Sequence, residues 1–270
     1  LIVNESDHIN APVCLTIAGF DPSGGAGVIA DCKTFTAFDC VPTAAVTSLT
    51  FQNDRAVLRT KHQSAETVLQ QIQSIAAASQ IAAVKTGMLP TAEIVREIAQ
   101  LFHQESLPAP VVDPVLRSTS GFQLVEPDAV PFLLSDLMPL ARLITPNTTE
   151  AEHLTGLQIE DEDGMRAAAR KLREMGARAV LVKGGHLCGA ARGSEQVNRV
   201  AIDVLDDEGE VTVFRSEWID APPVRGTGCM VSAAIASCLA KGMRMEEAVS
   251  AAKSYVAEII RRASISASRC

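Results

Sequence analysis

From about residue 13 to residue 184, short β-branched and apolar runs alternate with stretches that repeat apolar residues at helical spacing. Parallel strands cannot be joined by tight turns and need a long crossover, usually a helix, so this alternation predicts an α/β fold with a parallel sheet covered by helices. Strands are expected over 13–18, 44–50, 82–86, 110–113, 141–145 and 179–183, and helices over 25–39, 65–78, 91–104, 127–136, 148–155 and 162–175. Gly176 supplies the stop for the last of these. The runs 200–205 and 211–214 flank Asp206-Asp207-Glu208-Gly209, a polar turn that predicts a β-hairpin, and two helices (228–240, 245–263) separated by Gly242 close the chain. No internal repeat and no linker-like segment interrupts the 270 residues, so one domain is expected, with loose ends over 1–10 and 264–270.

The net charge is −8 and no Lys/Arg block offsets it, which argues against nucleic acid or anionic membrane surfaces as partners. No apolar run reaches the length of a membrane span and no basic-then-apolar leader is visible, so a cytoplasmic location is expected. Seven cysteines without a C-x-x-C pair or zinc spacing argue against a disulfide framework or structural zinc. One Trp and one Tyr exclude a distributed aromatic stacking surface.

Ligands of an open parallel sheet bind beyond the carboxyl ends of its strands, and the polar and glycine-rich motifs fall there. Gly19–Gly27 follows the first strand, Lys85–Met88 the third, Asp113-Pro114 the fourth, Thr145-Pro146-Asn147 the fifth and Lys183-Gly184-Gly185-His186 the sixth. The most informative motif is Arg225-Gly226-Thr227-Gly228-Cys229, which opens a small-residue helix. Its glycines let backbone N–H groups approach an anion, and the helix adds free N–H groups and its positive end. Cys229 in that field is expected to have a lowered pKa and to serve as base or nucleophile, the alternative being a tight turn with a structural cysteine.

The first loop is neither a Walker A motif nor G-x-G-x-x-G, which weakens a reductase reading. Asp21 in it can accept from a polar ligand edge, and Gln52-Asn53 offers paired donors and acceptors suited to a heteroaromatic ring. Asp113 and Glu150 together suit Mg²⁺, although Glu150 also stands three residues after Asn147, where a helix N-terminus would use it. Lys183 ends an apolar strand and suits a nucleotide phosphate. The five histidines show no triad or metal spacing.

In order, Thr16–Gly27, Gln52-Asn53, Lys85-Thr86-Gly87-Met88, Val112–Val115, Thr145–Ala151, Val182–His186 and Gly226–Cys229 resemble the hydroxymethylpyrimidine/phosphomethylpyrimidine kinases of thiamin biosynthesis, over residues 13 to about 262. The resemblance implies a ribokinase-like three-layer αβα sandwich with a central mostly parallel sheet, and phosphorylation by ATP with Mg²⁺. It implies that the pyrimidine lies among Gly19, Asp21, Ala26, Gln52, Met88 and Val115. Cys229 takes the general-base position with Gly226, Thr227 and Gly228 as anion hole. Lys183, Asn147 and Thr145 serve ATP, and Asp113 and Glu150 the metal. A homodimer is also what the resemblance implies.

The sequence departs from the family pattern at Phe20, Arg225 and Met230, at Thr119 with Arg117 nearby, and in a longer segment 189–199. Phe20 is expected to narrow the pocket and Arg117 or Arg225 to contact phosphate, favouring the pyrimidine monophosphate over the alcohol. The alternative has both arginines facing solvent and Phe20 packed on its loop. A pyridoxal or pyridoxine kinase is the competing kinase reading, and a non-catalytic pyrimidine or nucleotide sensor the competing reading of another class.

Overall fold

The computed structural model describes residues 11–104, 107–118, 120–185 and 200–267. His186, Thr119 and the segment 189–199 lie outside the described residues, as does the expected loose start over 1–10.

Among the described residues nine strands form one sheet in the order β3-β2-β1-β4-β5-β6-β7-β8-β9. The six from β2 to β7 are parallel: β1 (Val13–Phe20), β2 (Val41–Gln52), β4 (Ile81–Thr86), β5 (Val111–Val112), β6 (Leu143–Ile144) and β7 (Ala179–Gly184). β3 (Val57–His62) runs antiparallel on one edge, and the hairpin β8 (Val200–Asp207) and β9 (Glu210–Glu217) on the other. The hairpin turns through Glu208 and Gly209, both at positive φ, the backbone that suits the twist of a two-residue connection.

Alternation along the strands fills two cores. Leu15, Ile17, Val84, Val112, Ile144, Val180 and Val182 face one layer of helices, α2 (Ala65–Ala78), α3 (Ala92–His103), α5 (Thr148–Thr155) and α6 (Glu162–Glu174). Cys14, Val111, Leu143, Ala179 and Leu181 face the other, α1 (Gly27–Ala37), α7 (Thr227–Ala240) and α8 (Met245–Ala267). The architecture is the expected three-layer sandwich. β5 and β6 are only two residues long but fully buried, as central strands covered on both faces should be. Residues Ser232–Cys238 of α7 are buried all round, and their small side chains let the helix lie close against β1, β4 and β5.

Helix starts follow local chemistry. Ser64, Thr91 and Asp161 each accept a hydrogen bond from the backbone N–H three residues on, and Asn147 with Glu150 forms a reciprocal capping box at α5. The expected helix over 127–136 is corrected: α4 spans only Ala129–Phe132 and passes into a π turn (Leu133–Leu137) and a 3₁₀ turn (Met138–Leu140). Pro139 has no N–H to offer the carbonyl of Ser135, so regular helical bonding cannot continue there. β3 was not anticipated, and α8 carries regular structure through Ala267, beyond the expected end at 263. Among the described residues no helix is long and apolar enough to cross a membrane, and the five cysteines are free.

Candidate active site

A cavity of about 500 Å³ opens at the carboxyl ends of the parallel strands. It is lined by Gly226, Thr227, Gly228 and Cys229 at the start of α7, and by Gly19, Asp21, Ala26, Gln52, Met88 and Val115. Asp113, Asn147, Glu150, Lys183, Arg117 and Arg225 also line it. Residues drawn from the ends of six strands, β1, β2, β4, β5, β6 and β7, and from the start of α7 therefore meet in one space.

The anion loop is shaped by the close approach of two backbones. Gly226 has φ +72°, and a Cβ there would lie 2.0 Å from the carbonyl oxygen of Gly25, so only glycine lets this loop rest on the β1–α1 loop. A Cβ on Gly228 would lie 3.1 Å from Lys183 Nζ, which places the lysine ammonium directly against the anion loop. Lys183 Nζ donates to Asp113 Oδ1 at 2.9 Å. Parallel bridging of Asn147 with Lys183, and the bond from Lys183 N to Pro146 O at 2.8 Å, fix the two strand-end motifs side by side.

Burial works against charge on Asp113, but Lys183 and Lys85 outweigh it and hold its carboxyl below the usual range. Burial likewise opposes the Lys183 ammonium, and Asp113 and Glu150 more than compensate, so its pKa is raised. Glu150 is pushed up from 4.5 to about 7, chiefly by burial, with Asp113 adding repulsion against the attraction of Lys183. Its Oε2 accepts from Asn147 N at 2.8 Å, so the helix-capping use of Glu150 is realised.

Among the described residues no group of three or more His, Cys, Asp or Glu side chains is arranged to hold a metal alone. Asp113 and Glu150 line the same cavity as the anion loop. Two carboxylates of this kind fit Mg²⁺, which takes most of its remaining ligands from water and phosphate. A dication would also relieve the repulsion that raises Glu150.

Several expectations change. Cys229 does not have a lowered pKa. Burial pushes its thiol up to about 12, and Lys85 and the Gly27 N–H counter only part of this, while Asp113 and Asp31 add to it. The helix terminus is thus outweighed by removal from water. Thr145 does not line the cavity; it is buried, and its hydroxyl donates to Asp113 Oδ1 at 3.2 Å. Asp21 is occupied by its own loop, Oδ1 accepting from Ser23 N and Oγ at 2.8 and 2.7 Å and Oδ2 from Ala26 N at 3.0 Å. Asn53 lies outside the lining, its side chain accepting from Arg55 N and Ala56 N to build the β2–β3 turn. Phe20 and Met230 are also outside the lining, so Phe20 does not narrow this cavity.

Two features had no role in the sequence reading, which named Lys85 only as the start of a strand-end motif. Lys85, fully buried, reaches the cavity floor and pairs with Asp31 Oδ2 at 2.8 Å, an oxygen that also accepts from Thr16 Oγ1 at 2.6 Å. Burial would lower the Lys85 pKa, but Asp31, Cys229 and Asp113 raise it, so the ammonium is retained. Its signal was a lysine inside the apolar strand Ile81–Thr86. The second is an apolar end of the cavity formed by Trp218, Ile219, Val224, Val256 and Ile260, whose residues carry no motif.

A family profile described as phosphomethylpyrimidine kinase matches residues 21–269. The hydroxymethylpyrimidine/phosphomethylpyrimidine kinase of Rhizobium meliloti is 42 % identical over 245 residues, covering 90 % of this chain and 88 % of that protein. The crystal structure of phosphomethylpyrimidine kinase from Clostridium difficile superposes with a TM-score of 0.78 at 36 % identity, covering 92 % of this chain and 99 % of that one. An ADP complex of Bacillus subtilis pyridoxal kinase gives a TM-score of 0.78 at 36 % identity over 90 % of this chain and 89 % of that one. With the profile spanning nearly the whole chain, and relatives of this identity and coverage, the chain belongs to the phosphomethylpyrimidine kinase family of ribokinase-like enzymes.

Proposed function

We propose that this kinase transfers phosphate from ATP to 4-amino-5-hydroxymethyl-2-methylpyrimidine and to its monophosphate, in thiamin biosynthesis. The observation that carries the proposal is one cavity lined both by the Gly226–Gly228 loop, with Lys183 Nζ against it, and by Gln52. Phosphoryl transfer asks mainly for positioning and for stabilisation of charge on the moving group. The N–H groups of Gly226–Gly228 and the Lys183 ammonium supply that charge stabilisation, and Gly19, Asp21, Ala26, Gln52, Met88 and Val115 form the pyrimidine wall. Asn147 borders the nucleotide phosphates, and Thr145 acts through Asp113 by holding its Oδ1. Asp113 and Glu150 are the groups that would hold Mg²⁺, which when bound neutralises phosphate charge. Cys229 stands where it can take the proton of the hydroxymethyl group, at the start of α7. Of Arg117 and Arg225, Arg117 is the one that favours the already phosphorylated pyrimidine, since Arg225 is engaged with Ser23, Gln52 and Asn53. The working unit is a cytoplasmic homodimer.

The pyridoxal kinase reading draws support from the Bacillus subtilis neighbour, equal in identity to the phosphomethylpyrimidine kinase structure. ATP consumption with Mg²⁺ on hydroxymethylpyrimidine, its monophosphate and pyridoxal, side by side, tests both. Turnover of the two pyrimidines supports the proposal. Pyridoxal as sole substrate replaces it with the second reading, and silence on all three favours a sensor.

A further inference from the structure

We propose that Arg225 is a specificity-determining positioning residue, which fixes the amide of Gln52 so that its Nε2, a donor, is the atom presented to a ring nitrogen of the heteroaromatic substrate. The inference rests on the heteroaromatic-kinase reading above and names how that site recognises its ring. Arg225 stands immediately before the anion loop, with 24 % of its side chain exposed. Its Nη1 donates to Asn53 O at 2.7 Å and to Ser23 Oγ at 3.2 Å, and its Nη2 donates to Gln52 Oε1 at 3.3 Å and lies 3.7 Å from Asp21 Oδ2. One guanidinium thereby ties the β1–α1 loop, the β2–β3 turn and the anion loop together.

The chemistry of the fork decides the amide. A guanidinium has donors only, so the Gln52 atom facing it must be the carbonyl oxygen. Gln52 lines the cavity, and with Oε1 turned to Arg225 its NH₂ is the donor it presents to a ligand, Oε1 keeping one lone pair. The matching partner is an unprotonated ring nitrogen. An exocyclic amino group, itself a donor, does not match. A lysine at 225 would carry the same charge but could not reproduce a planar fork that spans three loops.

The test is steady-state kinetics of the full chain with each ring substrate, reading KM and kcat separately for the ring and for ATP. Gln52→Glu keeps an acceptor for Arg225 but removes the donor, and should raise the KM for hydroxymethylpyrimidine about tenfold or more. Arg225→Lys should raise the same KM comparably, with kcat and the KM for ATP held within about threefold. Hydrogen exchange should show Ser23–Ala26 and Asn53–Ala56 opening faster in Arg225→Lys. A Gln52→Glu enzyme with wild-type KM overturns the inference, because Oε1 would then be the reading atom. An Arg225→Lys enzyme with wild-type KM and exchange overturns it too, because the fork would be dispensable. If wild type phosphorylates pyridoxal and not the pyrimidine, the pyrimidine reading falls while the same variants, read on the pyridoxal ring nitrogen, judge Arg225. Wild-type silence on both rings overturns both.

Discussion

Replacing Cys229 with alanine should separate the two phosphorylations proposed for this cavity, because their nucleophiles differ in charge. The hydroxymethyl group is neutral and must lose a proton as it attacks. The phosphate of the monophosphate, with a second pKa of about 6, is ionised already at neutral pH. A positioned base contributes about 10²- to 10⁴-fold to the rate of a step that needs it, so Cys229→Ala should cost the alcohol step that much and the monophosphate step less than about tenfold.

The structure also sets the pH profile. Burial, first among its causes, moves the Cys229 thiol from 9.0 to about 12. That rise corresponds to about 4 kcal/mol against the thiolate at most, reduced by whatever screening the open side of the cavity provides. At pH 8 roughly one enzyme in 10⁴ would carry the thiolate, so kcat/KM for the alcohol should climb about tenfold per pH unit from pH 6 to 9 with no plateau. The monophosphate step should be flat above about pH 7. Coupled measurement of ADP release with each substrate, for wild type and Cys229→Ala, reads both effects. A plateau in the alcohol profile near pH 7 would refute the desolvation argument. Equal losses on the two substrates would refute the base role.

The buried pair below the site makes a stability prediction. Lys85→Met leaves Asp31 buried with Thr16 Oγ1 as its remaining hydrogen-bond partner and with Oδ1 unpaired, which should cost about 3–5 kcal/mol in urea unfolding. Lys85→Met with Asp31→Leu should recover most of it, and a single variant within about 1 kcal/mol of wild type would mean the two are not held as ions. Glu150 predicts a pH effect. Its folded-state pKa is raised, so its contribution is fully present below pH 4.5 and is lost as pH rises through about 7, lowering stability by about 3 kcal/mol at most. Asp113, whose pKa is depressed, acts in the opposite sense, its contribution being lost as pH falls below 3.8, outside that window. Glu150→Gln should flatten the Tm profile between pH 4.5 and 7, and an unchanged profile would show that Glu150 does not titrate there.

What the sequence made legible is what neighbouring residues determine. The runs of β1, β4 and β7 and the starts of α2, α5 and α6 read directly from periodicity, and the α5 cap from Asn147 with Glu150, because a cap needs only the N–H groups of the next turn. β3 was missed because Arg59 and Lys61 alternate with Leu58 and Thr60, a charged pattern suited to an edge strand and weak as a strand signal. The strand-end motifs were found for the same local reason: a polar or glycine residue stands out directly after an apolar run.

The properties that decide chemistry arise instead between residues far apart in the chain. Lys85 and Asp31 are separated by 54 residues, Lys183 and Asp113 by 70, and Arg225 and Gln52 by 173. Asp21 and Gln52 both read as ligand contacts, yet the first is committed to its own loop and the second is oriented by an arginine that only the fold delivers. Cys229 shows the limit most clearly. Its helix-start position, a local fact, argues for a lower pKa, whereas the protein packed around the thiol argues for a higher one. Burial prevails. The dependence of the alcohol step on pH therefore carries more information about Cys229 than its sequence motif does.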